Sequence, residues 1–288
     1  MKKIKVSILG TGNIGTDLML KSLKTDFIDV VAFVGRRLDS ETMHIAKSKG
    51  IKISDQGINY FINNPKCCDV VYDCTNALDA REHAKIFKEQ DIKVIDLTPA
   101  KVGDMCVPDI NSDLILTDDN VNMITCGGQA SMPMLHLISK HCIGLEYVEI
   151  VSQIASKSAG MATRINVDNY IATTRKAITK FTGCKNTKVI LNLNPAEPCV
   201  DMQTTIFIKT KDINFNHLTE EIAEKIEELK TYIPYYELVL PPTMNENGVV
   251  VLSIRVKGTG DYLPEYAGNL DIINCAAIKI TEKLSQQS

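Results

Sequence analysis

Gly10-Thr11-Gly12-Asn13-Ile14-Gly15 follows a short apolar run, Lys3 to Leu9. It opens a stretch in which Ile14, Leu18, Met19 and Leu23 recur at helical spacing. Glycines at these offsets do separate jobs: the first permits a tight turn, the second lets backbone approach a pyrophosphate, and the third lets the helix settle on the sheet. A strand entering a helix through such a turn begins a βαβ unit, and dinucleotide phosphates then meet the free N–H groups of the helix start. Gly10, Thr11, Gly12, Asn13, Ile14 and Gly15 are therefore candidate cofactor-binding residues. A tight strand–helix turn without a ligand is the plain alternative.

The alternation continues. Strands are expected at 29–34, 70–73 and 93–96, and helices at 13–23, 41–49 and 77–89. Apolar runs of this length, separated by amphipathic stretches, predict an α/β fold with a parallel sheet covered on both faces. After Gly128 the texture changes. Helices are expected at 131–142, 167–181 and 218–230, and longer strands at 145–154, 188–192, 204–209, 236–240 and 249–256. This predicts a second, α+β domain with a mostly antiparallel sheet, and a last amphipathic helix runs over 267–284. The expected organisation is a Rossmann domain over 1–125, a catalytic and dimerisation domain over 126–265, and a C-terminal helix over 266–288 that packs back on the first.

The 288 residues carry a net charge of -3, with acids and bases mixed, so no basic stripe marks a nucleic-acid partner. No apolar stretch approaches a membrane span. The nine cysteines form an odd count without a secretory leader, and predict reduced thiols in the cytoplasm. Neither the cysteines nor the five histidines show metal-ligand spacing, so no metal is expected.

The second strand runs into Gly35-Arg36-Arg37. An acid there would bind the ribose 2′-OH of NAD, whereas guanidiniums suit a 2′-phosphate. Arg36 and Arg37 therefore favour NADP over NAD, with a solvated basic loop as the alternative. Asp39 lies slightly late in sequence for the ribose role.

Cys126 stands in Thr125-Cys126-Gly127-Gly128-Gln129, between the apolar run Val121 to Ile124 and a helical segment. Free N–H groups and the helix dipole at such a place favour thiolate over thiol. With a dinucleotide turn upstream, this suggests hydride transfer at a carbon held on sulfur, with backbone N–H groups around Gly127 and Gly128 receiving the oxyanion. The other eight cysteines read as small buried hydrophobes. No histidine can be assigned as a base from spacing.

Three further blocks complete the pattern: Ile95-Asp96-Leu97-Thr98-Pro99-Ala100, Asn194-Pro195-Ala196-Glu197-Pro198, and Tyr262-Leu263-Pro264-Glu265-Tyr266-Ala267-Gly268-Asn269-Leu270-Asp271-Ile272. With Ser156-Lys157-Ser158-Ala159-Gly160 and the two motifs above, the chain resembles the acylating acetaldehyde dehydrogenases that partner 4-hydroxy-2-oxovalerate aldolases in catechol meta-cleavage. The resemblance implies a glyceraldehyde-phosphate-dehydrogenase-like second domain and a reversible reaction of a short aldehyde, coenzyme A and NAD(P)+ to acyl-CoA and NAD(P)H. It implies Cys126 as the acyl-thioester nucleophile and Thr11 to Ile14 at the cofactor phosphates. Ser158, Ala159, Gly160, Met161, Ala162, Thr163, Arg164, Ile165, Asn166 and Asn269 would line the nicotinamide side. It also implies a homodimer, and an aldolase as partner.

Three places depart from the family. Arg37 stands where relatives carry an acid. Gln203-Thr204-Thr205 stands where they carry an aspartate, and Asp201, three residues early, falls on the other face of a strand. The stretch between Leu240 and Val249 is short. A phosphorylating semialdehyde dehydrogenase and a non-catalytic NADP-binding partner of an aldolase are the competing readings.

Overall fold

The computed structural model describes residues 3–100 and 102–287, the side chains of Met161 and Ala162 excepted. The chain forms two compact units. One comprises Met1–Met123, Asp261–Leu263 and Asn274–Ser288; the other comprises Ile124–Gly260 and Pro264–Ile273.

In the first unit, strands and helices follow in the order β1 (Ile4–Leu9), α1 (Asn13–Ser22), β2 (Ile28–Val34), α2 (Glu41–Ser48), β3 (Lys52–Ser54), α3 (Asn59–Asn63), β4 (Val70–Asp73), α4 (Ala77–Glu89), β5 (Lys93–Asp96), β6 (Asp104–Met105), α5 (Pro108–Asn111), α6 (Leu114–Thr117) and β7 (Asn120–Asn122). The sheet is parallel throughout, ordered β3-β2-β1-β4-β5-β7-β6. Its central strands are buried on both faces: Val6, Ile8, Leu9, Val70, Val71 and Tyr72 are almost fully enclosed. Edge-to-face packing of Phe61 on Phe87, centroids 5.0 Å apart, fills one side. The strand order reverses between β1 and β4, and ligands of open parallel sheets bind at the carboxyl ends of strands at such a switch point. β3 went unrecognised in the sequence, since three residues hold too little pattern.

The second unit contains α7 (Cys126–Lys140), β8 (Cys142–Ala155), α8 (Met161–Ile165), α9 (Val167–Thr182), β9 (Thr187–Asn194), β10 (Met202–Ile213), α10 (Leu218–Lys230), β11 (Tyr236–Met244) and β12 (Val249–Val256). α11 (Gly268–Ser285) begins in this unit and continues in the first. The sheet order is β11-β12-β10-β8-β9. Pairs are antiparallel except β8 with β9, which run parallel because α9 intervenes as a crossover. Alternation along the strands sends Val148, Ile150, Ile154, Met202, Ile206, Ile208, Leu252 and Ile254 to one buried face. α7 and α9 pack on this unit's sheet.

The strands of the second unit run longer than expected, β8 from Cys142 and β10 to Ile213, and one helix start moves furthest. α7 starts at Cys126, not at Ser131, despite Gly127, Gly128 and the internal Pro133. Tertiary contact overrides propensity here: both glycines lie where a Cβ would collide with neighbouring side chains. β11 and β12 close in a tight turn at 245–248, where Gly248 takes φ +71°.

Candidate active site

The glycine turn lies at the carboxyl end of β1. Gly10 has φ +110°, and a Cβ there would fall 2.6 Å from the carbonyl oxygen of Cys74. At Gly15 a Cβ would lie 2.0 Å from Gly10 O, so helix and turn approach closely. Around Gly12 there is no atom within 4 Å of that position. Gly12 caps α1 without a side chain, leaving the first N–H groups of the helix for a ligand. Thr42 Oγ1 donates to Thr11 O at 3.0 Å and steadies the turn. Asn13 is exposed and Ile14 half-buried; Asn274 Nδ2 donates to Ile14 O at 3.2 Å. A phosphate-bearing dinucleotide fits this cradle: open on the ligand side, tight on the protein side, and bounded by a helix start that no side chain caps.

Arg36 and Arg37 follow Gly35 at the end of β2, and both are exposed. Arg37 is engaged: Nε and Nη2 each stand 3.1 Å from the carboxylate of Asp39. This pairing lowers the Asp39 pKa and raises that of Arg37. Asp39, set aside in sequence as too late for the ribose, reaches back to the guanidinium that a 2′-phosphate would need.

Cys126 occupies the first position of α7. Two residues earlier, Ile124 takes φ +53°. A β-branched residue in that region stores strain of about 1–3 kcal/mol, as functional turns often do. Thr125 caps the helix, accepting from Gly128 N at 3.0 Å, and its hydroxyl meets Thr174 Oγ1 at 2.7 Å. Gly128 N–H is therefore taken, which corrects its expected part in holding an oxyanion. The amides of Cys126 and Gly127 remain, and Gly127 N–H already acts on the sulfur.

Cys126 keeps some surface open to solvent. Loss of hydration around its sulfur nonetheless pushes the thiol up to about 11, against the opposing pull of Tyr170 Oη and Gly127 N–H. This corrects the expectation of a lowered thiol pKa: the helix start is present, but among the described residues no cation acts on the sulfur to offset burial. No histidine assists among the described residues. His136 Nδ1 lies 2.9 Å from Phe181 O, and His141 Nε2 lies 3.0 Å from Glu221.

Behind the cysteine stands a set of hydroxyls. A Cβ on Gly127 would lie 2.1 Å from Tyr170 Oη and 2.6 Å from Ser152 Oγ. Ser152 Oγ and Thr204 Oγ1 are 3.0 Å apart. Thr204 thus sits on the cysteine side of the sheet. Asp201 precedes β10 and pairs with Lys257 at 3.7 Å, leaving Thr204 without a carboxylate substitute. Sequence reasoning missed Tyr170 and Ser152. A weak signal existed: Ser152 interrupts the buried series Ile150, Ile154, as Thr204 interrupts Met202, Ile206.

The remaining expected residues lie in the same unit. Ser158 is buried, with Oγ donating to Ala155 O at 2.9 Å, and Ala159 is buried beside it. Gly160 is open. Met161 and Ala162 start α8, their side chains lying outside the described residues. Arg164 folds back, donating to Ala159 O at 3.0 Å and Ser156 O at 2.8 Å, and so holds the loop. Thr163 and Asn166 are half-buried, whereas Ile165 is exposed. Lys157 and Glu197 pair at 2.5 Å, joining two of the sequence blocks. Asn269 is buried, and its Oδ1 has no hydrogen-bond partner. An orphaned acceptor of this kind fits an amide donor from a ligand.

The second unit coincides with a known pattern. The family described as "Prokaryotic acetaldehyde dehydrogenase, dimerisation" matches residues 126–264. An acetaldehyde dehydrogenase of Spirochaeta aurantia is 51% identical over 99% of this chain and 96% of its own length. The chain belongs to the acetaldehyde dehydrogenase family. Another acetaldehyde dehydrogenase, from Pectobacterium atrosepticum, is 50% identical over 99% of this chain and 96% of its own. The family is one of oxidoreductases, and this member is an enzyme of the aldehyde dehydrogenase kind. The crystal structure of aspartate semialdehyde dehydrogenase II of Vibrio cholerae, complexed with ASA, matches at TM-score 0.65 and 13% identity, covering 99% of each chain. At that identity the likeness concerns the fold alone, an α/β parallel-sheet unit followed by a mixed-sheet unit. Among the described residues of this acetaldehyde dehydrogenase family member, no helix is long and apolar enough to cross a membrane.

Proposed function

We propose that the chain is a coenzyme A-acylating aldehyde dehydrogenase, converting a short aldehyde, coenzyme A and NAD(P)+ to acyl-CoA, NAD(P)H and a proton, reversibly, through a thioester on Cys126. The observation that carries this is the placement of the sulfur at the first position of α7, where Thr125 takes the amide of Gly128 and the amides of Cys126 and Gly127 stay beside the sulfur. The thiolate adds to the aldehyde carbon, and the carbonyl electron pair moves to oxygen. The two amides receive that oxyanion. Loss of hydride from the same carbon restores the carbonyl as a thioester. The thiolate of coenzyme A then forms its own bond to the acyl carbon and Cys126 leaves as thiolate.

A nicotinamide dinucleotide, when bound, takes that hydride or gives it back. Gly10, Gly12, Gly15 and the start of α1 would hold its pyrophosphate. Ser158 to Asn166 and the unpartnered Asn269 Oδ1 would meet the nicotinamide. Arg36 and Arg37 support NADP, with Asp39 yielding Arg37 to the 2′-phosphate. The dimerisation pattern over 126–264 supports a homodimer. An aldolase as partner rests on the family resemblance.

The test is to incubate the protein with acetyl-CoA and NADPH and follow both NADPH loss and acetylation of Cys126 by mass spectrometry. Turnover dependent on the CoA thioester, with a label on the Cys126 peptide, is expected. Turnover surviving Cys126→Ser would overturn the reading.

A further inference from the structure

We propose that Tyr170 is a catalytic residue beside Cys126, its hydroxyl donating to the sulfur once the thiol is ionised, in a pocket it shares with Ser152. The inference rests on Cys126 being the nucleophile.

The hydroxyl is enclosed: Tyr170 is 8% exposed, and Oη has no hydrogen-bond partner. A buried hydroxyl left unpaired costs about 1–3 kcal/mol, so an orphan here calls for a use. Its neighbours are Gly127, Ser152 and the Cys126 sulfur. A neutral thiol is a poor acceptor, whereas a thiolate is a strong one. The hydroxyl is therefore unsatisfied in the resting thiol and satisfied in the reactive anion. That is stabilisation given to the charged state alone, which is the kind that promotes reaction.

Tyr170 keeps its proton throughout, because burial and the neighbouring sulfur raise its own pKa. Ser152 Oγ and Thr204 Oγ1, 3.0 Å apart and both buried, form a polar floor beneath the ring's oxygen. Gly127 is required for the same reason: any side chain would occupy the space between sulfur-bearing helix and hydroxyl.

Among the described residues no other group competes for the role. From β8 and β10, the side chains turned to this face are Ser152 and Thr204 among aliphatic residues, and from β12 they are Val250, Leu252, Ile254 and Val256. Glu149 and Arg255 occupy the opposite sheet face, paired with Lys188 at 3.5 Å and with Glu237. On α9, Asp168, Arg175 and Lys176 are exposed. From α10, Glu221 is turned to His141, beyond the far end of α7. Tyr170 is the titratable side chain acting on the sulfur.

The experiment measures the rate of Cys126 alkylation by iodoacetamide from pH 6 to 10, peptide by peptide, in the full chain and in Tyr170→Phe. The substitution keeps the ring and removes only the oxygen. Alkylation in the variant should be slower by about threefold to thirtyfold at each pH, because one unit of thiol pKa is tenfold in thiolate. The melting temperature should hold or rise, as an orphaned hydroxyl is lost. An unchanged alkylation profile overturns the proposal, even if turnover falls, since Tyr170 would then act on something other than sulfur. If Tyr170→Phe does not fold, Ser152→Ala takes its place, with slower alkylation expected and an unchanged profile again decisive against. Failure of the nucleophile reading looks different: Cys126→Ser would keep turnover whatever Tyr170 does.

Discussion

Ser152 and Thr204 face each other across β8 and β10, their hydroxyls 3.0 Å apart beneath the cysteine helix. Both residues are almost wholly buried, at 0% and 1% exposure. A carboxylate at position 204 would have to be desolvated, with no cation on this sheet face among the described residues. Two hydroxyls satisfy each other instead, at no charge cost. Thr204→Val keeps the shape and strands Ser152. Its expected cost is about 1–3 kcal/mol, read as a fall of roughly 2–6 °C in melting temperature. An unaltered melting curve would show that the pair does not matter to stability.

Gly127→Ala places a methyl group 2.1 Å from Tyr170 Oη. Overpacking a tight site costs about 1–3 kcal/mol, and here the displaced atoms are those that serve the sulfur. The variant should lose at least about tenfold in kcat, because a small misplacement at the reacting centre is expensive. Parent-level kcat would mean the contact is relieved without consequence.

Gly12→Ala makes the opposite case. Nothing lies within 4 Å of the added methyl, so the melting temperature should not change. The methyl instead fills the side from which a pyrophosphate approaches, and KM for the dinucleotide should rise at least about tenfold, or 1.4 kcal/mol. Unchanged cofactor KM would remove the phosphate assignment from this turn.

Asp39→Ala releases Arg37 from its two 3.1 Å contacts. The preference for NADPH over NADH, as a ratio of kcat/KM, should increase. Arg37→Asp should reverse it. Equal use of both cofactors by the parent would end the NADP reading.

Asp96, at the end of β5, is buried with its carboxylate near Asp73. Burial above all pushes its pKa up to about 6 from an ordinary 3.8. A carboxyl raised on folding supports the fold fully below pH 3.8, and that support is lost as pH rises through about 6. Asp96→Asn removes the titration. The melting temperature of the variant minus that of the parent should therefore become more positive between pH 4 and pH 7. A difference independent of pH would show that Asp96 does not titrate in this window.

Much of the architecture was written locally. The glycine turn between Leu9 and Asn13 and the continuous apolar runs at β2, β4 and β5 announce a parallel sheet, because strands buried on both faces have no polar side to show. Helices such as α4 and α10 match their expected bounds, since periodicity over 13 residues is a strong signal. Position 126 stood out for a similar reason: a thiol before Gly-Gly at a strand–helix junction is visible in five letters. Chain-local reasoning failed where distance mattered. α7 begins five residues early, at a turn where Tyr170 and Ser152, remote in sequence, close around Gly127. The thiol is raised and not lowered because hydration is removed by neighbours from other elements, which no local motif records. Motif and period are properties of neighbouring residues and survive in the linear text. Desolvation, and the meeting of Tyr170, Ser152 and Thr204 under one sulfur, arise only when segments tens of residues apart are packed together, and packing is what sets the charge state of the site.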